Sequence, residues 1–131
     1  MAAQGWRKRR ITNLIEEDNM EKYIMDGKVA VLYSSGFGAG WSTWNSGRDW
    51  NGQDLGQVLL YAPAIVEMVL TDAKQEDIRY YCEKLYGAAG YFGGAADLRV
   101  EWMKPGTQFM VREYDGSESI QYNEDINWLV A

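Results

Sequence analysis

The stretch that decides the fold is Lys28-Val29-Ala30-Val31-Leu32-Tyr33, which runs directly into serines and glycines. Its apolar residues are consecutive rather than alternating, and this pattern predicts a strand that is buried on both faces. Asp26-Gly27, just before it, supplies the positive φ angles of a two-residue turn, with a partner strand over residues 21–25. We therefore expect residues 28–33 to lie at the centre of a sheet.

The chain beyond this strand predicts another short strand and two helices. Val58–Tyr61 is a short apolar run that predicts a strand. Pro63 suits the first position of a helix. Asp72 and Gln75 have capping-box spacing for a second helix, which we expect to end at Gly87.

The last third of the chain predicts an antiparallel β-meander. Apolar and polar residues alternate over residues 98–102 and again over residues 109–114. Lys104–Thr107 predicts a type II turn, and Asp115-Gly116 predicts a second tight turn. We therefore predict an α+β fold, an antiparallel β-meander with two short helices, in a single domain over residues 21–131.

Residues 1–20 predict a flexible charged arm in front of this domain. They contain a basic cluster at residues 7–10 and an acidic one at residues 16–18. A phosphate-contacting role for the basic cluster is the alternative interpretation. Because no apolar segment follows the basic residues, the start does not resemble a secretory signal, and we expect a cytosolic protein.

The composition of the 131 residues argues against several classes of function. The net charge is −6, whereas domains that bind long nucleic acids usually have a basic face. There is no histidine, which removes the Ser-His-Asp triad and most transition-metal sites, and Cys82 is the single cysteine. We expect Cys82 to be buried, and we expect a binding protein without catalytic residues, metal, cofactor or membrane span.

The first candidate ligand site is the glycine-rich run after the central strand. Gly36, Gly38 and Gly40 stand at alternate positions, where glycine lets the backbone approach a ligand and direct several N–H groups at one anion. The spacing fits neither a P-loop nor a dinucleotide fingerprint. The alternative is a loop that only packs tryptophans such as Trp41.

The second candidate site is a pair of arginines. If Lys104 pairs with Thr107 across the turn, Arg99 lies directly opposite Arg112, and like charges so placed repel each other. The following hairpin places Ser119 beside Arg112. Two guanidinium groups and a hydroxyl suit a phosphate clamp. The alternative is that a neighbouring carboxylate neutralises the arginines, and the candidates are Asp97, Glu101 and Glu113.

Tyr91-Phe92-Gly93-Gly94 is the third candidate. Two aromatic residues before two glycines fit either a flexible lid with stacking rings or a packed loop. The residues alone do not decide between these two interpretations.

Three stretches together resemble a known family. They are residues 29–45 (VAVLYSSGFGAGWSTWN), residues 91–94 (YFGG) followed by 98–102, and residues 105–109 (PGTQF) running into 112–119 (REYDGSES). Over about residues 28–120 the chain is similar to the phage Thoeris anti-defence proteins of the first-described type.

This resemblance implies a phage-encoded sponge. In such systems a bacterial TIR-domain enzyme makes a cyclic ADP-ribose isomer from NAD, and the sponge binds this signal without cleaving it. Family members bind the signal between two subunits, and some form hexamers with a second site for cyclic oligonucleotides. The resemblance thus implies a homodimer or higher homo-oligomer in the cytoplasm of the infected host cell.

The resemblance also implies roles for particular residues. By motif position, it assigns an arginine role around the adenine to Arg112 and aromatic roles to Phe37, Trp41 and Phe92. Two other functions remain open from the residues. One is a small nucleotide hydrolase that uses carboxylates such as Asp97 with a divalent metal, and the other is a protein-interaction module that uses exposed tryptophans.

Overall fold

The computed structural model describes residues 20–49, 51–87 and 90–131. These residues form an α+β fold with antiparallel sheets, which confirms the predicted fold class. The predicted arm lies outside the described residues except for Met20.

The described residues form the following helices and strands in chain order. They are β1 (Ile24–Met25), β2 (Lys28–Ser34), α1 (Leu55–Tyr61), α2 (Pro63–Leu70), α3 (Gln75–Tyr86), β3 (Leu98–Met103), β4 (Phe109–Tyr114) and β5 (Ser117–Tyr122). Short 3-10 helices occur at Ser42–Trp44, Gly93–Asp97 and Asn123–Asp125. The sheets are β1-β2-β3 and the β4-β5 hairpin.

Strand β2 lies at the centre of its sheet, as its sequence predicts. It pairs antiparallel with β1 on one side and with β3 on the other. The turn into it has φ 54° at Asp26 and 77° at Gly27, the left-handed conformation that Asp-Gly favours. Its interior residues are buried on both faces because a layer packs against each of them.

The two faces of β2 belong to two separate hydrophobic clusters. Ala30 and Leu32 face the helices, in a cluster with Leu59 and Ile65. Val31 faces the opposite way, towards the β4-β5 hairpin. The sheet therefore separates a helical layer from a β-hairpin layer, and the alternation of side chains along a strand assigns each residue to one of them.

Helix α1 replaces the strand that we predicted at Val58–Tyr61, so that prediction is wrong. The Asp54 side chain caps the helix by accepting a hydrogen bond from the Gln57 N–H at 3.2 Å. Leu55 and Leu59, four residues apart, are fully buried on one face. A short apolar run fits either element, and here the cap and the helical spacing decide.

The other two helices follow the sequence more closely. Helix α2 begins at Pro63, and α3 ends before Gly87, whose φ is 59°. The predicted capping role of Asp72 is wrong, because Asp72 has φ 59° in the preceding turn and Lys74 is the residue at the N-cap position. Cys82 is fully buried on α3, as expected.

The predicted pairing of β3 with β4 is also wrong. The type II turn between them forms, with Gly106 at φ 86°. However, β3 pairs with β2, and β4 pairs with β5. Val100 packs into the helical cluster, whereas Val111 packs into the hairpin cluster, so the turn folds the hairpin over the opposite face of the sheet.

No helix in the described part of the chain is both long enough and apolar enough to cross a membrane.

Candidate functional site

The glycine-rich loop is fastened by a buried carboxylate from the hairpin, that of Glu118. Its Oε1 accepts a hydrogen bond from the Ser34 N–H at 2.9 Å. Its Oε2 accepts bonds from the Trp41 N–H at 2.7 Å and from the Thr43 N–H and hydroxyl at 3.1 and 2.6 Å. Glu118 is only 2% exposed, so these bonds replace the hydrogen bonds that its carboxylate oxygens would otherwise accept from water.

Sequence reasoning predicted that the glycines of this loop direct N–H groups at a ligand anion, and it missed the internal carboxylate that binds the N–H groups flanking the glycines. The N–H groups of Ser34, Trp41 and Thr43 all bind the protein's own Glu118. Their partner is 75 to 84 residues away in the sequence. No local pattern distinguishes Glu118 from the other acidic residues, so only the fold identifies it.

A second buried polar side chain, Asn45, joins the glycine-rich loop to the third candidate segment. Its side-chain amide donates to the carbonyl oxygens of Trp41 at 2.7 Å and Tyr91 at 2.8 Å. Its side-chain oxygen accepts a bond from the Tyr91 N–H at 2.6 Å. A Cβ on Gly94 would collide with the Gly40 carbonyl, so the absence of a side chain at Gly94 allows the two backbones to touch.

Trp41 and Phe92 lie in the core. Trp41 is fully buried, and its indole N–H donates to the Leu59 carbonyl at 2.9 Å. Phe92 is 3% exposed and packs on Trp41 at 6.3 Å and on Tyr86 at 6.0 Å between ring centroids. Of the two interpretations of residues 91–94, the packed loop describes this geometry. Ligand roles for Trp41 and Phe92 stay predictions.

The tip of the glycine-rich loop, by contrast, is exposed. Phe37 has 74% of its surface accessible. The next residue, Gly38, has φ 103° and donates its N–H to the Asp115 carbonyl in the β4-β5 turn at 3.0 Å. Tyr114, which precedes Asp115, is 78% exposed. Two exposed aromatic residues therefore flank one backbone hydrogen bond.

Arg112 lies on the outer face of the hairpin. It pairs with Ser119 as predicted, and both residues are exposed. It shares this face with Tyr114, two residues along the strand.

Arg99 lies on β3, in the other sheet, and contacts the glycine-rich loop through Ser35. It pairs with Tyr33, so the predicted position opposite Arg112 is wrong. Its guanidinium Nε donates to the Ser35 hydroxyl at 2.7 Å, and the Ser117 hydroxyl donates to the Ser35 carbonyl at 2.9 Å. Ser35 thus links Arg99 to the hairpin.

The carboxylates that the alternative interpretation pairs with these arginines make other contacts. Glu101 accepts a hydrogen bond from the Tyr122 hydroxyl, and Glu113 accepts one from the Gly116 N–H at 2.7 Å. Asp97 lies against Gly36. Between described residues, an ion pair forms on α3, where Arg79 and Glu83 are 3.4 Å apart, but none involves Arg99 or Arg112. Neither arginine therefore has an ion-pair partner within the part of the chain that the structure describes.

The carboxylates of the described residues do not cluster into a metal site. Within residues 20–49, 51–87 and 90–131, no group of three His, Cys, Asp or Glu side chains could hold a metal ion. A cavity of about 630 Å³ is lined mainly by residues of α1, α2 and α3 and by the residues before β1. None of the predicted ligand residues lines it.

Burial raises the pKa of two groups outside the loop. The Cys82 thiol has its pKa raised to about 12, first by desolvation and then by the charge of Glu83. The Tyr122 hydroxyl also has its pKa raised to about 12, by desolvation and then by its hydrogen bond to Glu101. Both groups are therefore neutral at pH 7.

Comparison of the chain with protein-family models, with curated proteins and with solved structures finds no match.

Proposed function

We propose that this protein is a phage-encoded sponge that binds and sequesters a cyclic ADP-ribose-type nucleotide without cleaving it. In the cytoplasm of the infected host cell, this would block TIR-based Thoeris immunity. The sequence resemblance suggests the ligand. The observation that carries the proposal is that two arginines without an ion-pair partner among the described residues flank the loop that exposes Phe37. Arg99 binds Ser35 of this loop, and Arg112 lies on the strand that leads into the turn bound by the Gly38 N–H.

The chemistry of such a ligand matches these groups. Its pyrophosphate carries negative charge, and a guanidinium group binds phosphate oxygens through two parallel hydrogen bonds. Its adenine offers a flat face, on which an aromatic ring such as that of Phe37 can stack. The Ser119 hydroxyl beside Arg112 adds a donor and an acceptor.

The open shape of this surface supports a site shared between subunits. Phe37 is 74% exposed, whereas a small-molecule site usually encloses most of its ligand. A second copy of the chain would supply the missing walls. Light scattering at micromolar concentration is expected to show a dimer or larger assembly, and a monomer that binds the ligand would contradict the shared site.

Calorimetry with cyclic ADP-ribose and its isomers, with NAD and ADP-ribose as controls, tests binding. The complex is then heated and the released small molecules are identified by mass spectrometry. Recovery of intact ligand is expected. A cleaved product would instead support the alternative of a nucleotide hydrolase, and absence of binding to every cyclic isomer would refute the sponge.

A second function, interaction with another protein, is favoured by the C-terminal segment. Trp128 is 68% exposed, Leu129 96% and Val130 93%, a run of apolar side chains of the kind found at interaction sites. Deletion of residues 128–131 tests this function. Loss of a co-purifying host protein with unchanged nucleotide affinity would favour the interaction module.

A further inference from the structure

We infer that Glu118 is a positioning residue of the proposed nucleotide site. Its carboxylate fixes the glycine-rich loop in the conformation that presents Phe37 beside the hairpin. The effect on ligand affinity rests on the proposed function, whereas the effect on the loop rests on the hydrogen bonds alone.

The hydrogen bonds of Glu118 hold the two ends of the loop together. Ser34 lies before the glycines, and Trp41 and Thr43 lie after them, yet all three bind the same carboxylate. The segment between Ser34 and Trp41 is therefore held at both ends, and Phe37 lies in its middle. Closing a flexible loop costs entropy, and here that cost is met during folding rather than during ligand binding.

Glu118 also ties the loop to the strand pair that carries Arg112. The tip of the loop is held by the same hairpin, through the bond from the Gly38 N–H to the Asp115 carbonyl at 3.0 Å. Gly116 lies so close to Gly38 and Ala39 that a Cβ would collide with their backbone. The aromatic ring and the guanidinium group thus belong to one unit, and Glu118 sets their separation before any ligand arrives.

A carboxylate is the side chain that these contacts require. Four hydrogen bonds converge on it, one at Oε1 and three at Oε2, and both oxygens only accept. A glutamine has one accepting oxygen and an NH₂ group. In either orientation its NH₂ group would face at least one buried N–H, and that donor would lose its partner.

This arrangement also limits how the site can bind an anion. The N–H groups of Ser34, Trp41 and Thr43, which flank the glycines, are occupied by Glu118, and the Gly38 N–H is occupied by the Asp115 carbonyl. These four donors are therefore not available to a phosphate group.

The test compares Glu118→Gln with Glu124→Gln, which removes the same charge from an exposed position. Amide hydrogen exchange is measured by NMR at Ser34, Trp41 and Thr43. We expect these amides to exchange at least tenfold faster in Glu118→Gln and at the wild-type rate in Glu124→Gln. Equal exchange in the two variants would overturn the proposed role.

The ligand measurement uses cyclic ADP-ribose isomers and stopped-flow kinetics. A looser loop lowers the fraction of binding-competent protein and raises the apparent Kd in proportion. We expect at least a tenfold loss of affinity in Glu118→Gln, mainly as a slower association rate, whereas Arg112→Ala should mainly speed dissociation. If wild type binds and Glu118→Gln binds equally well, Glu118 is not a positioning residue. If wild type binds no nucleotide, the proposed function itself fails.

A milder variant covers the case in which Glu118→Gln does not fold. Thr43→Val removes the hydroxyl that donates to Oε2 at 2.6 Å and keeps the carboxylate. Its Trp41 and Thr43 amides should exchange faster than in wild type, with a smaller loss of affinity. Exchange of these amides at the rate of an unstructured peptide in wild type would also overturn the role of Glu118.

Discussion

The glycine-rich loop and the outer face of the β4-β5 hairpin lie side by side but use their polar groups in opposite ways. Backbone N–H groups of the loop are bound by Glu118, and its neighbour Asn45 is buried and fully hydrogen-bonded. On the hairpin, Arg112 and Ser119 are exposed, and the arginine has no ion-pair partner among the described residues. The polar groups of the loop therefore hold its conformation, whereas those of the hairpin face are available to bind a ligand.

The largest effect is expected from Trp41→Ala, which tests the structural half of this comparison. Trp41 is fully buried, so its removal leaves a cavity and an unpaired Leu59 carbonyl. We expect the free energy of unfolding to fall by about 3–5 kcal/mol, measured by denaturant titration.

The matched control for Trp41→Ala is Phe37→Ala, four residues earlier in the same loop. Because Phe37 is 74% exposed, its removal should change stability by less than about 0.5 kcal/mol. Its effect should instead appear in nucleotide affinity. Equal destabilisation by the two variants would contradict the division between a buried and an exposed part of the loop.

Arg112→Ala tests the binding half of the comparison. A hydrogen bond to a charged group is worth about 1.5–3 kcal/mol, so affinity for the cyclic nucleotide should fall at least about tenfold. The melting temperature and the assembly should not change, since Arg112 is exposed. Lysine should restore affinity only in part, because it lacks the planar fork.

The control for Arg112→Ala is Arg79→Ala, an exposed arginine on α3 that pairs with Glu83. It removes the same charge from another part of the surface and should leave affinity unchanged. A similar loss of affinity in both variants would indicate that the ligand responds only to the net charge of the protein.

Asn45→Ala should produce a smaller loss of stability. The substitution leaves the Tyr91 N–H and two carbonyl groups without their partner, which costs about 1–3 kcal/mol for buried groups. Asn123→Ala removes an exposed bond to Gln108 of 2.8 Å and should cost less than about 0.5 kcal/mol. Thermal unfolding of the two variants measures how much burial increases the contribution of these hydrogen bonds to stability.

The parts of the fold that the sequence predicts correctly depend on local chemistry. Asp26-Gly27 determines the first turn, Pro63 begins α2, and Gly87 ends α3. Each of these residues acts on its own backbone or on the adjacent turn, so a short window contains the whole cause.

The parts that were missed depend on distant partners. Val100 of β3 packs into the helical cluster, whereas Val111 of β4 packs into the hairpin cluster. The sequence does not show that the two strands face different clusters, so the pairing of β3 with β2 was missed. The loop anchor Glu118 contacts residues 75 or more positions away. The sequence identifies Arg99 and Arg112 as candidate ligand residues. It does not show that they lack carboxylate partners, because Glu101 and Glu113 are close to them in sequence but form hydrogen bonds with other groups.

Tyr122→Phe is expected to have the smallest effect, and it tests the inner face of the hairpin against the outer face. The Tyr122 hydroxyl donates to Glu101 across the two sheets, and its loss should cost about 0.5–1.5 kcal/mol at pH 7. Tyr114→Phe, on the exposed face, should change stability by less than about 0.5 kcal/mol.

The pH dependence identifies the hydroxyl as the cause. Burial and the bond to Glu101 raise the pKa of Tyr122 from 10 to about 12, so the folded state holds this proton more tightly than the unfolded state. The stabilisation is therefore fully present below pH 10 and is lost as pH rises towards 12. The difference in free energy of unfolding between wild type and Tyr122→Phe should be constant from pH 7 to 9 and then shrink, as measured by urea titration at each pH. A difference that stays constant to pH 12 would show that the hydroxyl does not couple the hairpin to β3.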